Sequence, residues 1–339
     1  VARSLVTIDL GAIRENARTL AAMQRPSELW AVVKADGYGH GAADVGRAAL
    51  EGGATALCVA TVGEAVALRE VLPTARILVL GPTTPEETPP AREARLELAV
   101  PDEYVPEDVP VHLKLDTGMG RWGLEELPAP GRSVVGLMTH FATADTDRSF
   151  AGKQLERFLR ATELYAGRYV RHAANSAAAL TMPETRLDAV RCGIAVYGVD
   201  PRGQDAARWG LRPALRWESE VAQVRRLAPG ASTGYGRQFV AREETWIGIV
   251  PVGYADGFRR DLTGTEVVVE GARAPVVGTI SMDALAVLLR GPVERGARVT
   301  LVGDGVTLEA HAAVAGTIGY ELACGIRVAP GRGAREVVG

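Results

Sequence analysis

Lys34 and Lys114, two of only three lysines in the 339-residue chain, each close a short apolar run and precede an aspartate by two residues (Lys34-Ala-Asp36, Lys114-Leu-Asp116). The third is Lys153, and arginine supplies nearly all the remaining positive charge. A retained lysine points to what arginine does not do, which is to release a proton or form an imine. Other apolar runs end in Thr139-His140, in His172-Ala-Ala-Asn175-Ser176 and in Arg191-Cys192-Gly193. An amine emerging from a dry strand is desolvated, which lowers a lysine pKa from ~10.4 towards neutrality and makes it a nucleophile and base. The glycines of Gly37-Tyr38-Gly39-His40-Gly41 allow a sharp turn and close backbone approach to a ligand. Their spacing is neither a dinucleotide fingerprint nor a Walker loop. Ser176, read either as a plain helix N-cap or as a phosphate ligand, and the glycine turn at Gly193 offer hydroxyl and N–H donors. An early reactive lysine with a late phosphate site suggests a phosphorylated aldehyde, pyridoxal 5′-phosphate.

Those residues need a frame that gathers strand ends. Short buried runs at Leu29–Val33, Ala56–Ala60, Ile77–Leu80, Val111–Leu115, Val134–Met138, Tyr169-Val170 and Leu187–Val190 alternate with helical patterns over Ala42–Leu50, Gly63–Val71 and Phe150–Tyr165. The stretch from Gly81 to Pro110, rich in Pro and Glu, carries no clear element. About eight strand-helix units predict an α/β fold with an N-terminal (β/α)8 TIM-like barrel, whose reacting groups gather at the C-terminal strand ends. After Pro213 strand-like runs recur at short spacing (Ser219–Val224, Trp246–Val252, Glu266–Val269, Ala284–Leu289, Arg298–Val302), with Leu308–Ala315 the single helical pattern. This predicts a barrel over residues 10–210 and a mostly antiparallel β domain over 211–339. The run Leu5–Ile8, ahead of a helix over Ala12–Met23, pairs with either domain, so residues 1–9 are open between them.

Composition narrows the partners. A net charge of −3 leaves no basic footprint for nucleic acid. No apolar run reaches the ~18 residues of a membrane span. Three scattered cysteines, Cys58, Cys192 and Cys324, argue for small core residues in a reducing, cytoplasmic setting. No Cys/His cluster has metal-ligand spacing. His40, His112 and His311 read as turn, strand and helix residues, and His172 as a support for Asn175.

The residues from Ala31 to Gly41 resemble the cofactor-lysine signature of the alanine racemase family. The resemblance runs on in order through Lys114–Arg121, Thr139–Asp145, His172–Ser176, Arg191–Ile194, Gly234-Tyr235-Gly236, Pro251–Gly257 and Ser281-Met282-Asp283. It implies an isomerase of the fold-type III class that binds pyridoxal 5′-phosphate and interconverts L- and D-alanine by two bases, supplying D-alanine for cell-wall peptidoglycan. Lys34 would hold the cofactor through its aldehyde and serve the D face of the substrate; Tyr235 would serve the L face. Tyrosine is a weak acid, so nearby positive charge would have to favour its phenolate.

The resemblance also distributes the remaining contacts. Tyr38, Asn175 and Ser176, with the N–H groups of Gly193 and Ile194, would bind the cofactor and its phosphate; Arg191 would face the pyridine nitrogen, with His140 against the ring. Arginine keeps its proton, so the ring stays unprotonated and a weaker electron sink. Arg121 and the Met282 N–H would hold the substrate carboxylate, and Tyr254 would narrow the entrance. Lys114 would be carbamylated beside Arg121, or a chloride would take that place. A head-to-tail homodimer with shared sites is implied. The segment Cys324–Ala329 lacks the tyrosine and the proline found there in the family, and Leu124–Pro130 is short.

Two other readings compete. A basic-amino-acid decarboxylase of similar layout would place an acid, not Arg191, at the ring nitrogen. A cofactor-carrying protein without turnover would need only the barrel, and so leaves the domain with Tyr235, Tyr254 and Met282 unexplained.

Overall fold

The computed structural model describes residues 3–339. They form two compact units, one of Gly11–Arg202 with Ala206–Arg212, the other of Gly203–Asp205, Pro213–Gly339 and the N-terminal residues through Leu10.

The first unit is a closed parallel barrel of β2 (Glu28–Val32), β3 (Ala56–Val59), β4 (Ile77–Val79), β5 (Glu97–Val100), β6 (Val111–Lys114), β7 (Val134–Met138), β8 (Val170–His172) and β9 (Ala189–Cys192). β9 returns to pair with β2, which sets Trp30 beside Arg191. The expected eight-stranded barrel is therefore present. Every residue of β3 and β4 is buried, as suits parallel strands covered on one face by helices and on the other by the barrel interior. The helices are α1 (Leu10–Gln24), a turn α2 (Lys34–Tyr38), α3 (Ala42–Glu51), α4 (Val62–Val71), α5 (Thr88–Glu93), α6 (Arg148–Thr162) and α7 (Ser176–Thr181). α1 buries Ala12, Ile13, Asn16, Ala17, Leu20 and Gln24, the stripe of a helix lying against a core. Asn16 donates to the carbonyls of Val196 (3.0 Å) and Arg212 (2.8 Å) and accepts from the Arg212 N–H (2.8 Å), so both halves of its buried amide are satisfied.

Two expectations change here. The stretch Gly81–Pro110 contains α5 and the fourth barrel strand, β5; Glu97 opens that strand and masks its apolar run. The strand expected at Tyr169-Val170 extends to His172, which puts the histidine ring inside the barrel.

The second unit is a nine-stranded sheet in the order β11-β14-β17-β16-β15-β18-β10-β1-β19. Its strands are β1 (Ser4–Asp9), β10 (Leu215–Glu220), β11 (Gln223–Leu227), β14 (Thr245–Val250), β15 (Glu266–Val269), β16 (Ala272–Val277), β17 (Leu285–Leu289), β18 (Arg298–Val302) and β19 (Gly333–Val338). β12 (Ser232–Thr233) and β13 (Phe239–Val240) form a separate ribbon. β1 pairs antiparallel with β10 and parallel with β19, so the N-terminal run joins this sheet. The expected strand Ser219–Val224 is instead the junction of β10 and β11, broken at Val221-Ala222. Leu308–Ala315 is helical as read (α8), but a second helix, α9 (Gly319–Gly325), follows it; glycine at both ends hid it. Among the described residues no helix is long and apolar enough to cross a membrane.

Candidate active site

Lys34 follows the buried run Leu29–Val33 and opens α2, which is a left-handed turn: φ and ψ are 54° and 52° at Ala35, 49° and 49° at Asp36, and 61° and 44° at Gly37. Tyr38 continues at φ 53°. The sequence pointed to the glycines here, yet three of these four residues carry side chains, at ~1–2 kcal/mol each for an L-residue in this region. Side chains hold the turn. Glu64 Oε1 accepts the Ala35 N–H (2.7 Å) while its Oε2 accepts the N–H groups of Ala60 (2.7 Å) and Thr61 (3.3 Å), and Asp36 Oδ1 accepts from Ala42 (2.9 Å). Strain held by its surroundings in this way marks functional sites. Glu64, which the sequence reading did not single out, is also the third residue of a Thr61 capping box.

The turn delivers Tyr38 to Gly193. Ser176 Oγ accepts from the Gly193 N–H (2.9 Å) and the Ala195 N–H (3.4 Å), which leaves its own proton to donate. The Tyr38 ring packs on Tyr197 (4.9 Å between centroids), whose hydroxyl donates to the Val32 carbonyl (3.0 Å). Asn175, not Ser176, is the N-cap of α7, its Oδ1 accepting from Ala178 (3.0 Å). That frees the serine hydroxyl from capping. Ile194 opens the short helical turn that Gly193 precedes. The hydroxyls and N–H groups here suit a phosphate.

Arg191 is the electrostatic centre of the barrel interior. Its NH2 donates to the carbonyls of Thr139 (2.7 Å) and Ala173 (3.1 Å) and to His140 Nδ1 (3.3 Å), while NH1 donates to His172 Nδ1 (2.6 Å). His172 therefore supports Arg191 and not Asn175, a correction to the sequence reading. Burial, then the positive charge of Arg191, pushes both His140 and His172 well below the usual histidine range, so both are neutral acceptors. Burial also lowers Arg191, to about 10. Gln154 on α6 fixes this loop, donating to the His140 carbonyl (3.2 Å) and accepting from Ala142 (2.9 Å).

Lys114 ends β6 with 4% of its surface exposed. Burial first, and then Arg121 and Arg191, bring it down to about 8. The Trp122 ring faces both cations, 5.0 Å from the Arg121 guanidinium and 5.5 Å from Lys114 Nζ. Asp116 ties the loop between them, accepting from Gly118 (2.8 Å), Met119 (2.7 Å) and Gly120 (2.9 Å).

In the second unit three loops bring together Tyr235, Tyr254 and Met282, all exposed. Thr279 donates to the Tyr235 carbonyl (2.9 Å), and the N–H groups of Tyr254 and Ala255 donate to the carbonyls of Ser281 and Met282 (both 3.1 Å). Arg332 braces the base of these loops through Asp256 (2.7 Å) and Asp283 (2.7 Å). His311 lies away from them, its ring between Thr265 Oγ1 (2.6 Å) and the Leu301 carbonyl (2.7 Å), the structural part read for it. His40 Nδ1 donates to the Tyr38 carbonyl (3.0 Å) beside the lysine turn. Cys58 and Cys192 are buried and Cys324 is exposed, all as free thiols. The altered segment from Cys324 closes α9 and passes the Arg327 N–H to the Asp256 carbonyl (2.9 Å).

Family models agree across both units. One described as "Alanine racemase, N-terminal domain" matches residues 8–201, and one described as "Alanine racemase, C-terminal domain" matches residues 214–332. Alanine racemase of Lactiplantibacillus plantarum is 42% identical, over 95% of this chain and 94% of its own; that of Geobacillus stearothermophilus is 38% identical, over 94% and 90%. The crystal structure of alanine racemase from E. faecalis superposes with a TM-score of 0.89 at 37% identity, covering 99% of this chain and 98% of that one. The alanine racemase from Bacillus anthracis with bound L-Ala-P gives 0.83 at 34% identity, over 96% and 93%.

Proposed function

The chain belongs to the alanine racemase family, an isomerase that interconverts L- and D-alanine, and from that premise we propose that it does so with pyridoxal 5′-phosphate and two bases, Lys34 and Tyr235. The observation that carries the cofactor is the cradle of Ser176, Gly193 and Tyr38 that follows the strained lysine turn: the Gly193 N–H on Ser176 Oγ leaves the serine proton to donate, and the Tyr38 hydroxyl stands against Gly193. These residues fit the group: phosphate oxygens need such donors, and an aldehyde needs an amine beside them. Ile194 N–H and Asn175 complete the cofactor shell, with His140 against the ring. When bound, the cofactor withdraws electrons from the substrate α-carbon and makes its proton removable.

Lys34 then takes or returns that proton on the D face, and Tyr235 does so on the L face. Arg191 donates to the ring nitrogen; a guanidinium keeps its protons, so it orients the ring without protonating it. Arg121 and the Met282 N–H bind the substrate carboxylate, and Tyr254 narrows the entrance. Lys114, brought near neutrality by its surroundings, is poised to take up carbon dioxide as a carbamate, an anion that would relieve its repulsion with Arg121. Each site draws Lys34 from one protomer of a homodimer and Tyr235 from its partner, and the D-alanine, formed in the cytoplasm, supplies cell-wall peptidoglycan.

Borohydride reduction of the protein loaded with pyridoxal 5′-phosphate, followed by peptide mapping, tests the assignment beside an assay of D-alanine formation from L-alanine. The label is expected on Lys34. Label on Lys114 or Lys153 overturns it.

A further inference from the structure

Behind Arg191 the barrel interior holds two ionisable side chains that the proposed reaction leaves without a part, His112 on β6 and Glu97 on β5. His112 is completely buried, as is His172. His172 Nε2 lies 2.8 Å from His112 Nδ1, and His112 Nε2 lies 2.8 Å from Glu97 Oε2. Arg76 grips the same carboxylate with two bonds, at 2.7 and 3.0 Å. The result is one continuous chain from Arg191 to Glu97.

Its proton order is forced. A guanidinium only donates, so His172 Nδ1 must accept at 2.6 Å. The neutral imidazole then carries its hydrogen on Nε2 and donates to His112 Nδ1. By the same logic His112 carries its hydrogen on Nε2 and donates to Glu97, and an ionised carboxylate only accepts. Glu97 is ionised: against the pull of burial, the bonds from His112 and Arg76 hold it down to about 2. Reversing any one bond would set two N–H groups against each other in a dry interior, where an unmade bond is costly. The barrel is also shaped for this arrangement. A Cβ on Gly136 of β7 would fall 2.0 Å from His112 Nδ1, so only glycine there leaves room for the ring.

We propose that Glu97 and His112 are positioning residues for the racemase: with His172 they form a one-directional hydrogen-bond relay that fixes the His172 tautomer and so holds the Arg191 guanidinium in place for the cofactor's ring nitrogen. The proposal rests on the reading of Arg191 given above. Two imidazoles separate the carboxylate from the guanidinium, so Glu97 sets orientation while the positive field stays at the barrel mouth. A carboxylate in direct contact would cancel that field where the ring nitrogen needs it.

The chain has five histidines, which makes 15N-histidine NMR of the intact, cofactor-loaded protein tractable. His112 and His172, like His140 with its Nδ1 on Arg191 and His311 with its Nε2 on the Leu301 carbonyl, are expected to be Nε2–H tautomers that do not titrate across the ordinary histidine range. Glu97→Gln is expected to release the fixed tautomers and to lower kcat about tenfold, the usual size of a lost outer-shell partner, with KM for alanine and cofactor content unchanged. An Nδ1–H tautomer or an ordinary titration at His172 in the wild type overturns the relay, and that measurement needs no variant to fold. Unchanged kcat in a folded Glu97→Gln protein overturns it as well. Failure of the underlying cofactor reading looks different: the wild type would keep the tautomer pattern and take up no pyridoxal 5′-phosphate.

Discussion

The hydroxyl of Tyr38 lies 2.4 Å from where a Cβ on residue 193 would stand, so the two positions are compatible only while 193 is glycine. The same glycine gives its N–H to Ser176. Gly193→Ala is therefore expected to displace the Tyr38 hydroxyl and lower affinity for pyridoxal 5′-phosphate by 10-fold or more, since a hydrogen bond to a charged group is worth ~1.5–3 kcal/mol. Tyr38→Phe should cost a similar amount without disturbing the backbone. Equilibrium dialysis against pyridoxal 5′-phosphate reads both, and wild-type affinity in Gly193→Ala would remove the cradle from the phosphate site.

The lysine turn makes a prediction about stability. Ala35 holds φ 54° with its side chain exposed, so its Cβ contributes strain and little packing. Ala35→Gly should raise unfolding free energy by roughly 1 kcal/mol by relieving a left-handed residue. Gly37→Ala, with Ala42 backbone 3.1 Å from the new Cβ, should lower it. Urea denaturation of the two variants decides the matter, and a less stable Ala35→Gly or a more stable Gly37→Ala would mean the turn is not held as described.

Why some of this was legible before the fold and some not follows from how each signal arises. Lys34, Lys114, His140, Ser176 and Arg191 announce themselves because a polar group interrupts an apolar strand at its end. β5 gives no such signal: Glu97 begins it, and the half-buried glutamate finds its partners only where Arg76, just before β4, and His112 on β6 meet it. His112 looks like any strand residue until the barrel closes and sets it against His172. Glu64 stands in the sequence as one more helix residue, and only the chain fold shows that its carboxylate reaches Ala35. The two halves of Ser219–Val224 look continuous because the turn at Val221-Ala222 carries neither Gly nor Pro.

Lys114 should make stability depend on pH and on carbon dioxide. Its folded value of about 8 lies below the ordinary 10.5. Between those two values the unfolded chain holds more protons than the folded one, so this group makes stability rise with pH across that window. Below the window the buried charge is carried in full. Lys114→Met should thus raise Tm by a few degrees at pH 7, with the gain vanishing towards pH 10.5. Bicarbonate should raise the Tm of the unsubstituted protein and leave Lys114→Met unmoved. An equal response from both would show that the salt acts elsewhere.

Tyr235→Phe should abolish nearly all racemisation, a loss of at least ~100-fold, the lower end for a positioned acid or base. Lys34 would still remove and return the α-hydrogen of D-alanine on its own face. Deuterium from solvent should therefore keep entering D-alanine while its entry into L-alanine collapses. Equal loss of both exchanges would make Tyr235 a structural residue, or leave a single base serving both faces.

The last test concerns which chains complete a site. Lys34 belongs to the barrel and Tyr235 to the other unit, and the proposal takes them from different protomers. In a two-fold dimer of that kind, a Lys34→Ala chain paired with a Tyr235→Phe chain places both lesions in one site and neither in the other. The two variants, each nearly inactive, are unfolded, mixed in equal amounts and refolded. With random pairing about half the dimers are mixed, and one of two sites in each is intact, so roughly a quarter of wild-type activity should return. If one chain supplied both residues to the same site, every site in a mixed dimer would carry a lesion and no activity would return. Distinct affinity tags on the two chains isolate the mixed dimer, which should show about half the wild-type activity per dimer. An isolated mixed dimer without activity would eliminate the shared site.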